Sequence, residues 1–164
     1  MTIPSILRRG FGLIAADRIP KPAFNVFAML HKLGDHQLKT RSDSALVTKR
    51  DDGTMVLALW NYAPPVGKTA SYTPGEATGS PKHFQIGVKH LATGAHAIVW
   101  RVDKTHGNAV ALFNQMGRPD FPSRRQIVQL RKAGRFAAPE QVDVHQGKFE
   151  IDIPPQGLVV VELR

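Results

Sequence analysis

The residues of this chain best suited to hold a metal or move a proton are its seven histidines, His31, His36, His83, His90, His96, His106 and His145. A helical metal site needs two of them one turn apart, or an H-E-x-x-H run that adds a general base. Neither occurs, so they read as surface or hydrogen-bonding histidines and no metal is expected. Asp103, His106 and Asn108 form the tightest constellation. A carboxylate–imidazole pair could do acid–base work, but these three precede a predicted helix start, where capping and loop hydrogen bonds account for them more simply. No G-x-S-x-G elbow supports a serine nucleophile. Gly10-Phe11-Gly12 lacks the third glycine and the strand–helix setting of a dinucleotide fingerprint, so no cofactor is expected. The absence of cysteine excludes thiolate chemistry, cysteine-ligated metal and disulfides.

Charge points elsewhere only weakly. The 164 residues carry a formal net charge of +9, which makes an acidic partner worth weighing. The densest basic group, Arg124, Arg125, Arg131 and Lys132, lies on a predicted helix whose opposite face carries Ile127 and Leu130. No aromatics interleave with it to stack bases, so it reads as a solvated face and no nucleic acid is expected. No run approaches the roughly 18 apolar residues of a membrane span. As written, the N-terminus has no export signal, which leads to the expectation of a cytoplasmic protein.

The elements that would position these residues follow from periodicity. A short apolar run at 11–15 suggests a buried strand, and Pro20 and Pro22 lead into a helix over 22–33 that is apolar on more than one stripe. Asp51-Asp52-Gly53 turns a hairpin between 45–49 and a strand at 54–62 whose two faces are both apolar, hence central. Residues 63–82 read as a long exposed loop. Alternation marks strands at 83–90 and 95–103, joined by a Thr93-Gly94 turn, and again at 142–153 and 158–163. Between them lie two helices. One spans 108–116, with Asn108 as N-cap and Gly117 and Pro119 as the stop. The other spans 123–133, with Ser123 and Gln126 spaced as a capping box and Gly134 ending it. Seven or so short antiparallel strands argue a mainly β chain, an antiparallel β-sandwich with two short inserted helices.

Val102-Asp103, His106, Asn108, Met116-Gly117, Pro119, Pro122-Ser123, Gln126, Leu130 and Ala133, in that order, resemble the C-terminal region of glycoside hydrolase family 39, the β-xylosidase family. Gly10-Phe-Gly-Leu, Pro20-Lys-Pro22-Ala-Phe, Leu30-His-Lys-Leu-Gly34 and Pro154-Pro-Gln-Gly-Leu-Val-Val-Val-Glu-Leu163 fit collinearly. The chain departs at Phe113, where a tryptophan is common, at Arg8-Arg9, and in the insertion at 63–82. The resemblance implies that residues 1–34 are a remnant of the last strand and helix of a (β/α)₈ barrel. Residues 35–164 would be the adjoining sandwich. It also implies retaining hydrolysis by two glutamates on barrel strand ends, one of them in an Asn-Glu sequence, with xylo-oligosaccharide as the ligand. None of Glu76, Glu140, Glu150 and Glu162 follows an asparagine. No catalytic residue is therefore carried over, and the pair is expected upstream of Met1 or in another chain. The expected role is the accessory part of a β-xylosidase-like hydrolase, inactive alone. The alternative is a carbohydrate-binding sandwich module in which Trp60, Tyr62, Tyr72 and Trp100 offer rings to sugar; alternation favours Trp60 and Trp100 as filling the core or the sandwich–barrel interface, with Trp60 buried.

Overall fold

The computed structural model describes residues 7, 12–63, 79–89, 91 and 94–164. Most of the 63–82 loop lies outside the described residues, as do Phe11, Tyr72, Glu76, His90 and Thr93 of the expectations above.

Two strands apolar on both faces lie near the middle of the larger sheet. β5 (Met55–Asn61) and β10 (Gly157–Leu163) pair antiparallel, Val159 opposite Leu59 and Val161 opposite Leu57. β3 (His36–Leu38), β4 (Ala45–Lys49), β7 (His96–Val102) and β8 (Glu140–Asp143) complete a six-stranded antiparallel sheet in the order β3-β4-β5-β10-β7-β8. β6 (Lys82–Gly87) and β9 (Lys148–Ile153) form a second, two-stranded sheet, Phe84 opposite Ile151 and Ile86 opposite Phe149. Period two holds along β9, with Phe149, Ile151 and Ile153 buried and Lys148, Glu150 and Asp152 exposed. The buried three pack with Leu57, Leu59, Val99, Val159 and Val161 to make the core of the β-sandwich.

The opposite face of the six-stranded sheet presents Val56, Ala58, Trp100, Val102 and Val160, and α1 (Pro22–Leu30) covers it through Met29, Val26 and Leu30. Proline at the first helical position suits a start whose N–H is unpaired anyway. The helix ends three residues before the expected 33. Arg50 donates to the Lys32 carbonyl (Nε, 2.9 Å) and the Gly34 N–H donates to Thr48 Oγ1 (2.9 Å), turning the chain into β3. β3 itself, exposed along its whole length, has no alternation by which to be read.

The buried strand expected at 11–15 is corrected. Among the described residues β1 is two residues, Ile14–Ala15, and it pairs only with β2 (Ile19–Pro20), which folds back on it across a 3₁₀ turn at Ala16–Arg18. Ala15 and Ile19 are buried against Ala109, Phe113 and Leu130 of the helical region, whereas Ile14 faces out. α2 (Val110–Gln115) starts later than expected: Ala109 is its N-cap, and Asn108 instead accepts from the Val110 N–H (Oδ1, 3.0 Å). Gly117 does take the left-handed conformation, φ 77°. α3 (Arg124–Gly134) has the capping box, Ser123 Oγ accepting from Gln126 N–H and Gln126 Oε1 from Ser123 N–H (2.8 Å). Gly134 serves another purpose than a stop signal, because a Cβ there would meet the Pro20 carbonyl at 2.7 Å. It lets α3 cross β2 closely. No helix among the described residues is long and apolar enough to cross a membrane.

Candidate functional site

The carboxylates are dispersed. Glu140, on β8, accepts from Arg101 Nε (3.2 Å), and Glu150, on the outward face of β9, accepts from Gln85 Nε2 (3.2 Å). Glu162 is buried on β10 between Arg164 (2.6 Å) and Arg50 (3.3 Å), a more enclosed setting than the strand margin its sequence position suggests. No two of these three share a partner. Among the described residues no three of His, Asp and Glu gather where they could hold a metal. His36 meets Asp51 at 3.1 Å and His83 meets Asp152 at 2.8 Å, both at the surface.

The Asp103 loop is the most ordered polar group. Asp103, 7% exposed, accepts at Oδ1 from the N–H groups of Thr105 (2.7 Å) and His106 (2.9 Å) and from the Thr105 hydroxyl (2.9 Å). His106 Nδ1 lies 2.9 Å from each carboxylate oxygen. Burial pushes the Asp103 carboxyl up, but these bonds and the charge of the imidazole outweigh it and hold the group below its ordinary value. An acceptor-only carboxylate makes Nδ1 the protonated nitrogen, which fixes the ring's orientation. Asn108 Nδ2 closes the loop on the Asp103 carbonyl (3.1 Å). The cluster is thus a turn stitched from within, as capping chemistry suggested.

Sequence reasoning passed over the residue that ties this loop to α1. Asn25, fully buried, donates from Nδ2 to the carbonyls of Gly107 (2.8 Å) and Gly134 (2.9 Å), while its Oδ1 is buried without a partner. Gly107 has φ 61°, and a Cβ there would sit 2.8 Å from Asn25 Nδ2, so glycine is required on both counts. The available signal was a lone asparagine within an apolar helical run. Beside the loop, Thr105 to Gly107, α2 and the end of α3 border an open cavity of about 450 Å³.

Several large apolar side chains among the described residues are exposed, Phe121 before α3 and Val128 on it among them. On the N-terminal unit, Leu13, Ile14 (50%), Phe24 and Phe27 (56%) are exposed on the side of α1 and β1 away from the sandwich. On the sheet, Trp100 is buried beneath the Lys32 ammonium, 4.0 Å from its ring centroid, as expected of a structural tryptophan. Trp60 is only half-buried, which corrects the expectation, and Tyr62 is 72% exposed. Trp60, near the end of β5, is thus partly open, and Tyr62 just past the strand lies in water.

Residues 5–145 match the family described as "Glycosyl hydrolases family 39". The chain is 32% identical over 154 residues to a β-xylosidase of Geobacillus stearothermophilus, covering 93% of this chain and 28% of that protein. It is 21% identical to a β-xylosidase of Caldicellulosiruptor saccharolyticus, over 94% of this chain and 32% of the relative. Among solved structures, a monomeric β-xylosidase from Caulobacter crescentus superposes with a TM-score of 0.81 at 18% identity, covering 98% of this chain and 34% of the other. An enzyme of the same family from Xanthomonas axonopodis pv. citri gives a TM-score of 0.75 at 23% identity, covering 98% of this chain and 33% of that one. The chain therefore spans about a third of the length of these relatives.

Proposed function

This chain belongs to glycosyl hydrolases family 39, with a function related to glycoside hydrolysis, and from that premise we propose that it is the accessory part of a β-xylosidase-like enzyme. In this reading residues 1–34 are the last strand and helix of a catalytic barrel and residues 35–164 the sandwich beside it. The observation that carries the reading is the two-sided character of α1. Met29 is buried in the sheet face, while Phe24 and Phe27 face solvent with Leu13 and Ile14. A helix apolar on both sides fits burial between two bodies. A barrel would cover the open side and supply both carboxylates, at the about 5–5.5 Å separation that retention requires, on rigid strand ends. The substrate would be a β-linked xylo-oligosaccharide.

The test is release of nitrophenol from an aryl β-xyloside. The purified chain is expected to give none above background. A chimera with this chain in place of the matching third of the Geobacillus stearothermophilus β-xylosidase is expected to be active. Turnover by the chain alone that vanished on substituting any one of Glu76, Glu140, Glu150 or Glu162 would overturn the reading.

A second reading, a carbohydrate-binding module without catalysis, is favoured by the exposed Tyr62 beside the half-buried Trp60. It predicts that Tyr62→Ala abolishes xylo-oligosaccharide binding by the chain alone and leaves its stability unchanged. In the first reading the same ring lies against the barrel.

A further inference from the structure

The cavity beside the Asp103 loop brings two cations to one mostly apolar wall. Lys132 and Arg135 border it, exposed, at the end of α3 and three residues apart. Some other cations of the chain have acceptors, while Arg124, Arg125 and Lys148, like these two, stand in water. Arg50 and Arg164 hold Glu162, Arg101 holds Glu140, and Arg131 donates to the Asp17 carbonyl at 2.5 Å. Among the described residues, neither Lys132 nor Arg135 has a side-chain partner.

The helix end explains only part of this. A cation in the last turn interacts favourably with the macrodipole. The nearby carbonyls are already taken, however: that of Gly134 by Asn25 (2.9 Å) and that of Lys132 by the Arg135 N–H (3.3 Å). Asp103, close by, is turned inward and saturated by Thr105 and His106. The cavity thus offers unsatisfied positive charge. Leu112, Ala133 and Phe136 make its remaining wall mostly apolar. Its volume of about 450 Å³ falls in the range of small-ligand sites, about 300–1,000 Å³.

A ligand that matches carries a carboxylate on a ring with an apolar C–H face. A bare inorganic anion would satisfy the charges and leave the wall unused. A neutral sugar would use the wall and leave the charges unmet. We propose that this cavity binds the uronic acid side group of an acidic xylo-oligosaccharide, with Arg135 and Lys132 on the carboxylate and the sugar ring against Phe136 and Leu112. The choice of a xylan fragment rests on the function proposed above. The planar guanidinium of Arg135 suits a two-point carboxylate contact, and Lys132 adds a mobile point charge.

The experiment is calorimetric titration of the full 164-residue chain with glucuronic acid-substituted xylotriose, unsubstituted xylotriose and inorganic phosphate. Arg135→Gln and Lys132→Gln are measured beside it, both at exposed positions where the fold does not depend on the side chain. The substituted sugar is expected to bind more tightly than either control. A charged hydrogen bond is worth about 1.5–3 kcal/mol, so Arg135→Gln is expected to weaken binding by about tenfold or more, and Lys132→Gln by less. Equal binding of unsubstituted xylotriose, equal binding of phosphate, indifference to both substitutions, or no binding of the substituted sugar would each overturn the proposal. The readout is binding without hydrolysis, so it can fail while the chimera is active, and succeed while the chimera is not.

Discussion

The two faces of the six-stranded sheet are covered in different ways. On one, Leu57, Leu59, Val159 and Val161 meet Phe149, Ile151 and Ile153 of the smaller sheet, and the outward positions of that sheet are Lys148, Glu150 and Asp152. The cover is apolar inside and charged outside, complete in itself. On the other, α1 lays Met29 on Val56, Ala58 and Val160, but its outer side carries Phe24 and Phe27, and Trp60 and Tyr62 lie past its reach. That cover is apolar on both sides. A surface finished with charge is one that evolution leaves in water, whereas a layer with a second apolar side is built to be the middle of something thicker.

The largest effects should separate the faces. Ile153 and Met29 are both fully buried, and truncating either to alanine should cost about 2–5 kcal/mol locally. Ile153→Ala removes a residue shared by both sheets and is expected to lower the urea midpoint of the whole sandwich. Met29→Ala loosens one layer held on the sheet, so hydrogen exchange should rise across Pro22–Leu30 while β5, β7 and β10 stay protected. Identical global destabilisation by both substitutions would break the comparison and make α1 part of one cooperative unit with the sandwich.

The same contrast separates what could be read in the sequence from what could not. The finished face announces itself: Lys148 to Ile153 alternates strictly, and each inward residue is buried where alternation puts it. Met55 to Asn61 is apolar on both faces, and it is central. The capping box at Ser123 needed only two residue types at the right spacing. Elements decided by distant contacts were less legible. The run at 11–15 looks like a core strand because its residues are apolar, yet Ile14 pairs with β2 and is half exposed. Gly134 reads as a stop signal, and what it answers is the Pro20 backbone more than a hundred positions away in sequence. Trp60 sits on a strand apolar on both faces, but burial also depends on how far the covering helix extends, and no local pattern records that. Lys132 was visible as part of a basic group; its nearness to Arg135 across a cavity was not.

Asn25 comes next in size. Among the described residues it is the only side chain holding the Gly107 and Gly134 carbonyls to α1, and Asn25→Ala would leave both buried without it. An unsatisfied buried carbonyl costs about 1–3 kcal/mol, and losing the orphaned Oδ1 returns part of it. The net expectation is about 1–3 kcal/mol by urea unfolding, with NMR shifts changing at Gly107 and Gly134. Phe27→Ser should be smaller still in the chain alone, within about 0.5 kcal/mol, as for other exposed positions. In the chimera it should lower the melting temperature clearly, because there the ring would lie at an interface. An equal effect in both contexts would remove the argument that this side of α1 is an unfinished contact.

The smallest effect belongs to the finished face and tests whether its charged exterior is only exterior. His83 on β6 and Asp152 on β9 are cross-strand partners, Nδ1 to Oδ1 2.8 Å, and Glu150 lies 3.7 Å from Nε2. The hydrogen bond that His83 donates to Asp152 is the main cause that raises the His83 pKa above its ordinary 6.5; desolvation opposes it, and the charges of Asp152 and Glu150 add to it. The folded state therefore binds the proton more tightly than the unfolded state. The resulting stabilisation is fully present below pH 6.5 and is lost as the pH rises through the folded-state value. An NMR titration of the His83 ring should give a midpoint above 6.5, and Asp152→Asn should bring it down toward that value. The urea midpoint of the parent chain should exceed that of Asp152→Asn more at pH 5.5 than at pH 8.5. A difference of the opposite sign, or one that grows with pH, would mean that the pair does not hold β6 to β9 as the geometry says. Because both side chains are largely in water, salt should shrink the difference, whereas the apolar contacts of Ile153 on the inner side of the same strand should be insensitive to it.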